Sequence, residues 1–242
     1  MIKSTDKLVF ICKKDLLWNW DAFKIVSKYF DNIHLLTWDA YRDNKQEADE
    51  ELANMEYDYI ISFWSEYIIL PAQIEAAKKG AINVHPAPPE HPGLGMFSHI
   101  FAFPENRMFH GTTVHEVDSK LDSGQIYITK EFPCFGMTPA EVCRCSVMDS
   151  LELLETACKL LYKGEKTDAL IKYYNPLRKW NPHLYTSKQE LKWLSELPAH
   201  HIAHEAETYA VTLATNEQFF EHNKNNFDIY FEKVDQNEIV FA

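Results

Sequence analysis

Residues 71–86 read PAQIEAAKKGAINVHP, and this stretch decides the architecture. Pro71 starts a helix and Gly80 closes it, the usual asymmetry of proline at the first helical position and glycine just past the last. A strand, AINVH, follows at once and stops in the Pro-rich loop that begins at Pro86. Alternation places Asn83 and His85 on one face of that strand, side by side at its carboxyl end.

The same alternation of helix and strand continues upstream. Residues 7–13, KLVFICK, form a continuous apolar run, the pattern of a strand buried on both faces. Helical spacing follows through Trp18, Ala22, Ile25, Val26 and Tyr29, then a strand at 33–38, an acidic exposed helix near 45–54 and a buried strand at 57–64. Downstream, strands are expected at 111–117 and 125–132. Thr138-Pro139-Ala140-Glu141 is a capping box opening a helix that buries Val147, Leu151, Leu154, Cys158 and Leu161 and ends at Gly164. The fold class is therefore α/β: a Rossmann-like open, mostly parallel sheet, with ligands at the carboxyl ends of its strands. Residues 1–165 form the main domain. Residues 166–242 form a small C-terminal β-rich appendage, with an aromatic loop, a short helix near 188–197 and strands at 209–214, 228–233 and 238–241. Its apolar end, Ile239-Val240-Phe241, predicts a homodimer.

Composition narrows the partners. A chain of 242 residues with a hydrophobic share of 46% and an aromatic share of 14% reads as a soluble globular protein. Its apolar runs fall short of a membrane span and no secretory pattern opens it, so a cytoplasmic location without a membrane partner is expected. Net charge is −12, and no basic face stands out, which argues against nucleic acid. Five cysteines (Cys12, Cys134, Cys143, Cys145, Cys158) fit no disulfide or zinc spacing. Cys143-x-Cys145 could suggest a metal, but inside a helix pattern the reading is reduced thiols near the core and no metal. His200, His201 and His204 lack a carboxylate-bearing motif and read as a solvated helix end or loop.

Of seven glycines, five (Gly80, Gly93, Gly95, Gly111, Gly124) fall between positions 80 and 124, where close backbone approach is expected. Cys12-Lys13-Lys14-Asp15-Leu16, after the first strand, contains none, so the dinucleotide and P-loop fingerprints are absent. An amide donor beside an imidazole, with the carboxylate of Asp122 downstream, is equipment for a tetrahedral oxyanion and points to acyl or formyl transfer.

Asn83-Val84-His85, the loop from Pro86 to Gly95, Gly111-Thr112-Thr113-Val114-His115 and Asp122-Ser123-Gly124 occur in that order. Together they resemble the signature of the 10-formyltetrahydrofolate-dependent formyltransferases. Residues 58–70, DYIISFWSEYIIL, look like that family's strand and loop beside the pterin, and the resemblance spans roughly residues 5–135. The loop HPAPPEHPGLG is similar to that of small bacterial nucleotide-sugar N-formyltransferases. The resemblance implies a formyltransferase fold. It also implies 10-formyltetrahydrofolate as formyl donor, tetrahydrofolate as product and no metal. The implied acceptor is a dTDP-linked amino-dideoxysugar such as dTDP-4-amino-4,6-dideoxyglucose, made for surface polysaccharide (O-antigen, lipopolysaccharide).

In that reading Asn83 donates to the oxyanion, His85 donates or carries a proton, and Asp122 orients His85 and takes the ammonium proton, with His115 as a supporting neighbour. Phe63, Trp64, Tyr67, Val117, Asp118, Lys120 and Leu121 are the implied cofactor-binding set. Pro86, Ala87, Pro88, Gly93, Met96, Tyr174, Arg178 and Trp180 are the implied acceptor-binding set, with rings to stack a base and Arg178 for the diphosphate. Plainer readings stand beside these. Phe63 and Trp64 could be core, Asp118 a turn former, and the aromatic loop mere packing of the appendage. Two other functions remain open: another formyl-group enzyme (a glycinamide ribonucleotide transformylase or a formyltetrahydrofolate hydrolase), or a non-catalytic folate or nucleotide sensor.

Overall fold

The computed structural model describes residues 3–14, 16, 18–40, 42–93, 108–173, 178–182, 184 and 196. The expected short helix apart from Glu196, the three C-terminal strands, the histidine triplet and the Ile239–Phe241 end lie outside the described residues, as do Gly95, Met96 and Tyr174.

The elements in chain order are β1 (Ser4–Lys13), α1 (Trp18–Tyr29), β2 (Phe30–Trp38), α2 (Lys45–Ala53), β3 (Tyr59–Phe63) and α3 (Pro71–Ala76). They continue with β4 (Gly80–His85), β5 (Phe109–Glu116), β6 (Ile126–Pro133), α4 (Pro139–Leu161) and a 3-10 helix (Thr167–Tyr173). The six strands form one sheet in the order β2-β1-β3-β4-β5-β6. The first four are parallel, and β5 and β6 continue the sheet antiparallel. The expected mostly parallel α/β sheet is what the chain forms.

Two apolar layers hold the sheet. On one face Leu8, Phe10, Tyr59, Ile61, Ile82, Val84 and Val114 pack against Trp18, Ala22 and Val26 of α1 and Val147, Leu151, Leu154, Cys158 and Leu161 of α4. Each of these large side chains contributes roughly 1.5–3 kcal/mol of transfer free energy when removed from water. On the other face Val9, Ile11, Ile60 and Ala81 meet Ala48 and Leu52 of α2, with Ile74 of α3 alongside. This second layer covers β2, β1 and β3 and stops at the beginning of β4. Among the described residues, the far parts of β4 and β5 are met by the segments 86–93 and 117–125, and that is where the site forms.

One expectation needs correction and one, the reading of the cysteines, stands. The helix begun by Pro71 stops at Ala76 rather than running to Gly80; residues 77–79 are a turn, with the Lys79 amide bonded to the Asp58 carbonyl, and Gly80 already belongs to β4. Cys143 and Cys145 sit in α4, and all five cysteines are free thiols. Burial among hydrocarbon pushes the Cys143 thiol up to about 12, which makes it inert at neutral pH. Among the described residues, no helix is long and apolar enough to cross a membrane.

The capping box opening α4 forms as expected: Thr138 Oγ1 accepts from the Glu141 amide at 3.3 Å, and Glu141 Oε2 accepts from the Thr138 amide at 2.7 Å. Thr138→Ala is expected to cost about 1 kcal/mol, read as a lower urea midpoint at unchanged slope. An unchanged midpoint would mean that packing alone sets the helix start.

Candidate active site

In β4, Ile82 and Val84 point into the α1/α4 layer, so Asn83 and His85 must point to the opposite face. In β5, Val114 points to the same layer, and His115 to the other. Antiparallel pairing sets Asn83 directly opposite His115. Among the described residues, three segments converge on this patch: 86–93 after β4, 117–125 after β5, and 178–181.

The loop after β5 brings in the carboxylate. Asp122 has φ +42°, a left-handed conformation that aspartate tolerates better than most residues. Gly124 lets the loop press on β5, since a Cβ there would lie 2.0 Å from the Glu116 carbonyl oxygen. Gly93, at φ +94°, turns its amide toward the same carboxylate and donates to Asp122 Oδ2 at 2.6 Å. The glycine clustering in the sequence thus has a specific cause: both glycines let backbone close around Asp122.

Asp122 is the hub. Its Oδ1 lies 3.3 Å from His115 Nε2 and 3.5 Å from Asn83 Nδ2, and its Oδ2 lies 3.6 Å from His85 Nδ1. The Asn83 amide nitrogen is also 3.2 Å from His115 Nε2. Each imidazole is anchored at its other nitrogen to a backbone carbonyl: His85 Nε2 to His91 at 3.0 Å, and His115 Nδ1 to Glu116 at 2.7 Å. A carbonyl oxygen only accepts, so those two nitrogens carry the protons. In the neutral rings the basic nitrogens are then His85 Nδ1 and His115 Nε2, and both face Asp122.

Both imidazoles and the carboxylate are buried. Burial alone would raise the Asp122 pKa. The His85 and His115 rings and the Gly93 amide outweigh it and hold the carboxyl well below its usual range. Burial pushes His85 down, against the opposing pull of Asp122, so its ring is neutral at pH 7. With one nitrogen of each ring turned to its carboxylate, Asp122 and the two imidazoles form a cluster able to share a proton.

The cluster opens onto a small surface cleft of about 90 Å³. Asn83, His115 and Asp122 line it, with Ser62, Ser65, Tyr67, Ile68, Ile69 and residues 117–121. Of the expected cofactor-binding set, Tyr67, Val117, Asp118, Lys120 and Leu121 are therefore on its wall. Phe63 and Trp64 are not. Phe63 packs near Phe10 in the core, and Trp64 turns inward at φ +49°, edge-on to Trp18, with its indole nitrogen donating to Ser150. Asp118 also serves as the turn former, accepting from the Lys120 amide and the Ser123 hydroxyl. Ser62, Ser65, Ile68, Ile69 and Ser119 were not singled out from the sequence. For the first four, the available signal was their place in the 58–70 stretch that resembles the family's strand and loop beside the pterin.

The expected acceptor-side residues are placed differently from one another. Pro86, Ala87 and Pro88 are buried within their own loop, where the Ala87 carbonyl accepts from Thr113 Oγ1 at 2.8 Å. Arg178 is not a free cation for a diphosphate, because its guanidinium is held by Glu90 at 2.7 Å and by Glu131. Trp180 lies against the two imidazoles rather than in an open base-stacking position. His85, expected at the reacting centre, sits behind Asp122 and does not line the cleft; His115, expected as support, does.

The family model described as "Formyl transferase" matches residues 8–150. No curated protein sequence matches. Solved structures do. A 4-N formyltransferase from Francisella tularensis is 17% identical at a TM-score of 0.60, covering 81% of this chain and 82% of that one. An N-formyltransferase from Helicobacter canadensis, in complex with folinic acid and dTDP-3-aminofucose, is 14% identical at 0.58, covering 89% and 82%. A formyltransferase from Anoxybacillus kamchatkensis, in complex with UDP-4,6-dideoxy-4-formamido-L-AltNAc and tetrahydrofolate, is 20% identical at 0.56, covering 82% and 97%. At these identities the likeness establishes the shared fold.

The depressed Asp122 pKa fixes a sign. Its contribution to folding is complete above the unfolded value, about 4, and is lost as pH falls toward the lower folded value. Asp122→Asn removes that dependence, so the stability of the variant is expected to fall less steeply than that of the parent below pH 4. Urea unfolding at a series of pH values reads this directly; parallel curves would show that Asp122 is not the titrating group.

Proposed function

Because this chain belongs to the formyl transferase family, we propose that it transfers a formyl group from 10-formyltetrahydrofolate to the amino group of a nucleotide-linked amino-dideoxysugar. The family uses a formyl-tetrahydrofolate donor. The observation that carries the proposal is the convergence of Asn83, His115 and Asp122 on the wall of one cleft, with His85 in contact with Asp122 from behind.

The cleft suits the donor's flat, polar-edged ring: Tyr67, Ile68 and Ile69 provide an apolar wall, and the 117–121 backbone and side chains a polar one. When bound, the donor supplies an activated formyl carbon. The chain's own residues supply the rest. Asn83 would donate its amide to the developing oxyanion; its contacts at 3.2 and 3.5 Å are long enough to yield to a shorter, charge-assisted bond. The acceptor nitrogen must shed a proton as it forms its new bond. Asp122 and the two imidazole nitrogens facing it receive that proton and can return it to the departing nitrogen. Carbonyl anchoring of both rings keeps their basic nitrogens aimed at the carboxylate throughout.

The preference for an amino sugar rests on the Pro86–Gly95 loop and on the nucleotide sugars bound by the Helicobacter and Anoxybacillus enzymes. The net charge of −12 agrees with a small acceptor rather than an RNA. The test is a panel of purified dTDP- and UDP-linked amino sugars with 10-formyltetrahydrofolate, followed by product mass. Asn83→Ala is expected to lower turnover on the order of 10²–10³-fold while leaving cooperative unfolding intact. Donor consumption that ignores the sugar would replace this reading with a hydrolase.

A further inference from the structure

Residues 178–181 cross the catalytic cluster as a strap fastened at several points. Arg178 is clamped between Glu90, in the loop after β4, and Glu131, on β6. The Asn181 amide donates to the Pro89 carbonyl at 2.9 Å, and its side-chain amide to the Glu90 carbonyl at 3.0 Å. Between these fastenings the indole of Trp180 stands edge-on to both imidazoles, 4.8 Å from the His115 ring and 5.9 Å from the His85 ring. Its Nε1–H donates at 2.7 Å to the carbonyl of Gly124, the residue that closes the Asp122 turn. One side chain therefore touches both histidine rings and the loop that carries the carboxylate. Trp180 is not among the residues lining the cleft.

We propose that Trp180 is a positioning residue for formyl transfer, and that the strap holding it is what keeps the two imidazoles and the Asp122 turn aligned and shielded from bulk water. This rests on the formyltransferase reading for its kinetic consequences, though not for its structural ones. The indole replaces water along the ring edges. A misplacement of about 1 Å at such a cluster can cost on the order of 10²-fold in rate. Water reaching the same groups would compete with the amine for the formyl carbon, so the shield also favours transfer over hydrolysis. Among the described residues the charged and titratable neighbours of His85 are Asp122 and His115, and its other contacts are the His91 carbonyl and the Trp180 ring. Burial holds the ring neutral, so uncovering it would raise its titration midpoint.

The test uses the full chain, as parent, Trp180→Ala and Trp180→Phe. Histidine-selective NMR titration is combined with steady-state transfer rates and with formate release in the absence of acceptor. Trp180→Ala is expected to raise the His85 midpoint, to lower kcat at least about tenfold with KM for the donor little changed, and to increase acceptor-independent formate release. Trp180→Phe keeps a ring but loses the bond to Gly124, and should recover part of each effect. Should Trp180→Ala lose its cooperative melt, Trp180→Phe alone decides by the same three readouts. Unchanged midpoints, kcat and formate release would overturn the proposal. The titration arm requires no turnover, so it separates failure of this inference from failure of the formyltransferase reading.

Discussion

The buried carboxylate of Asp122 is the constraint around which the site is organised. A charge in that position is costly unless it is surrounded by donors and by groups that can share a proton. The Gly93 amide, the Asn83 amide and two imidazole nitrogens meet that need from three chain segments: β4, the loop after it, and β5. Their own anchors follow from it: the carbonyls of His91 and Glu116 fix the ring tautomers, and the left-handed turn at residue 122 aims the carboxylate. Removing any one partner leaves a buried charge less well matched. Residues far apart in the chain are for that reason energetically coupled.

The sheet makes this convergence possible because, among the described residues, its two faces are covered to different extents. Helices α1 and α4 seal one face, while α2 and α3 seal the other only as far as the start of β4. Because β5 runs antiparallel to β4, His115 lands beside Asn83, and the loop after β5 returns across the same face. A parallel neighbour would have required a covering crossover helix there. The change of strand direction thus brings residues 117–125 back over β4 and β5, and among the described residues polar side chains meet there without burial against hydrocarbon. Trp64 shows the cost of building next to that edge. Its left-handed backbone is strained, and it is held by an indole bond to Ser150 and an edge contact with Trp18 on the sealed face.

Local chemistry explains why much of this was legible in advance. The apolar run of β1, the capping box of α4 and the alternation in β4 are properties of neighbours in sequence, and each formed close to where periodicity placed it. Asn83 and Asp122 were legible too, as a motif in order with glycines around it. The helix after Pro71 was misjudged because a glycine that begins a strand carries the same signal as one that ends a helix. Phe63 and Trp64 could not be assigned to cleft or core from composition, since an aromatic strand end suits either; the direction of a single backbone turn decided it.

The sequence by itself determined the α/β class, the strand that carries the site and the residue types able to handle an oxyanion and a proton. These depend on alternation, propensity and order along the chain, which are local or one-dimensional properties. Only the tertiary structure decided that His115 faces the cleft while His85 backs the carboxylate, that Arg178 is held by Glu90 and Glu131, and that Trp180 lies over both imidazoles. Those outcomes are set by which segments share that face of the sheet. Distances between residues some ninety positions apart are fixed by packing and pairing, and no local pattern encodes them.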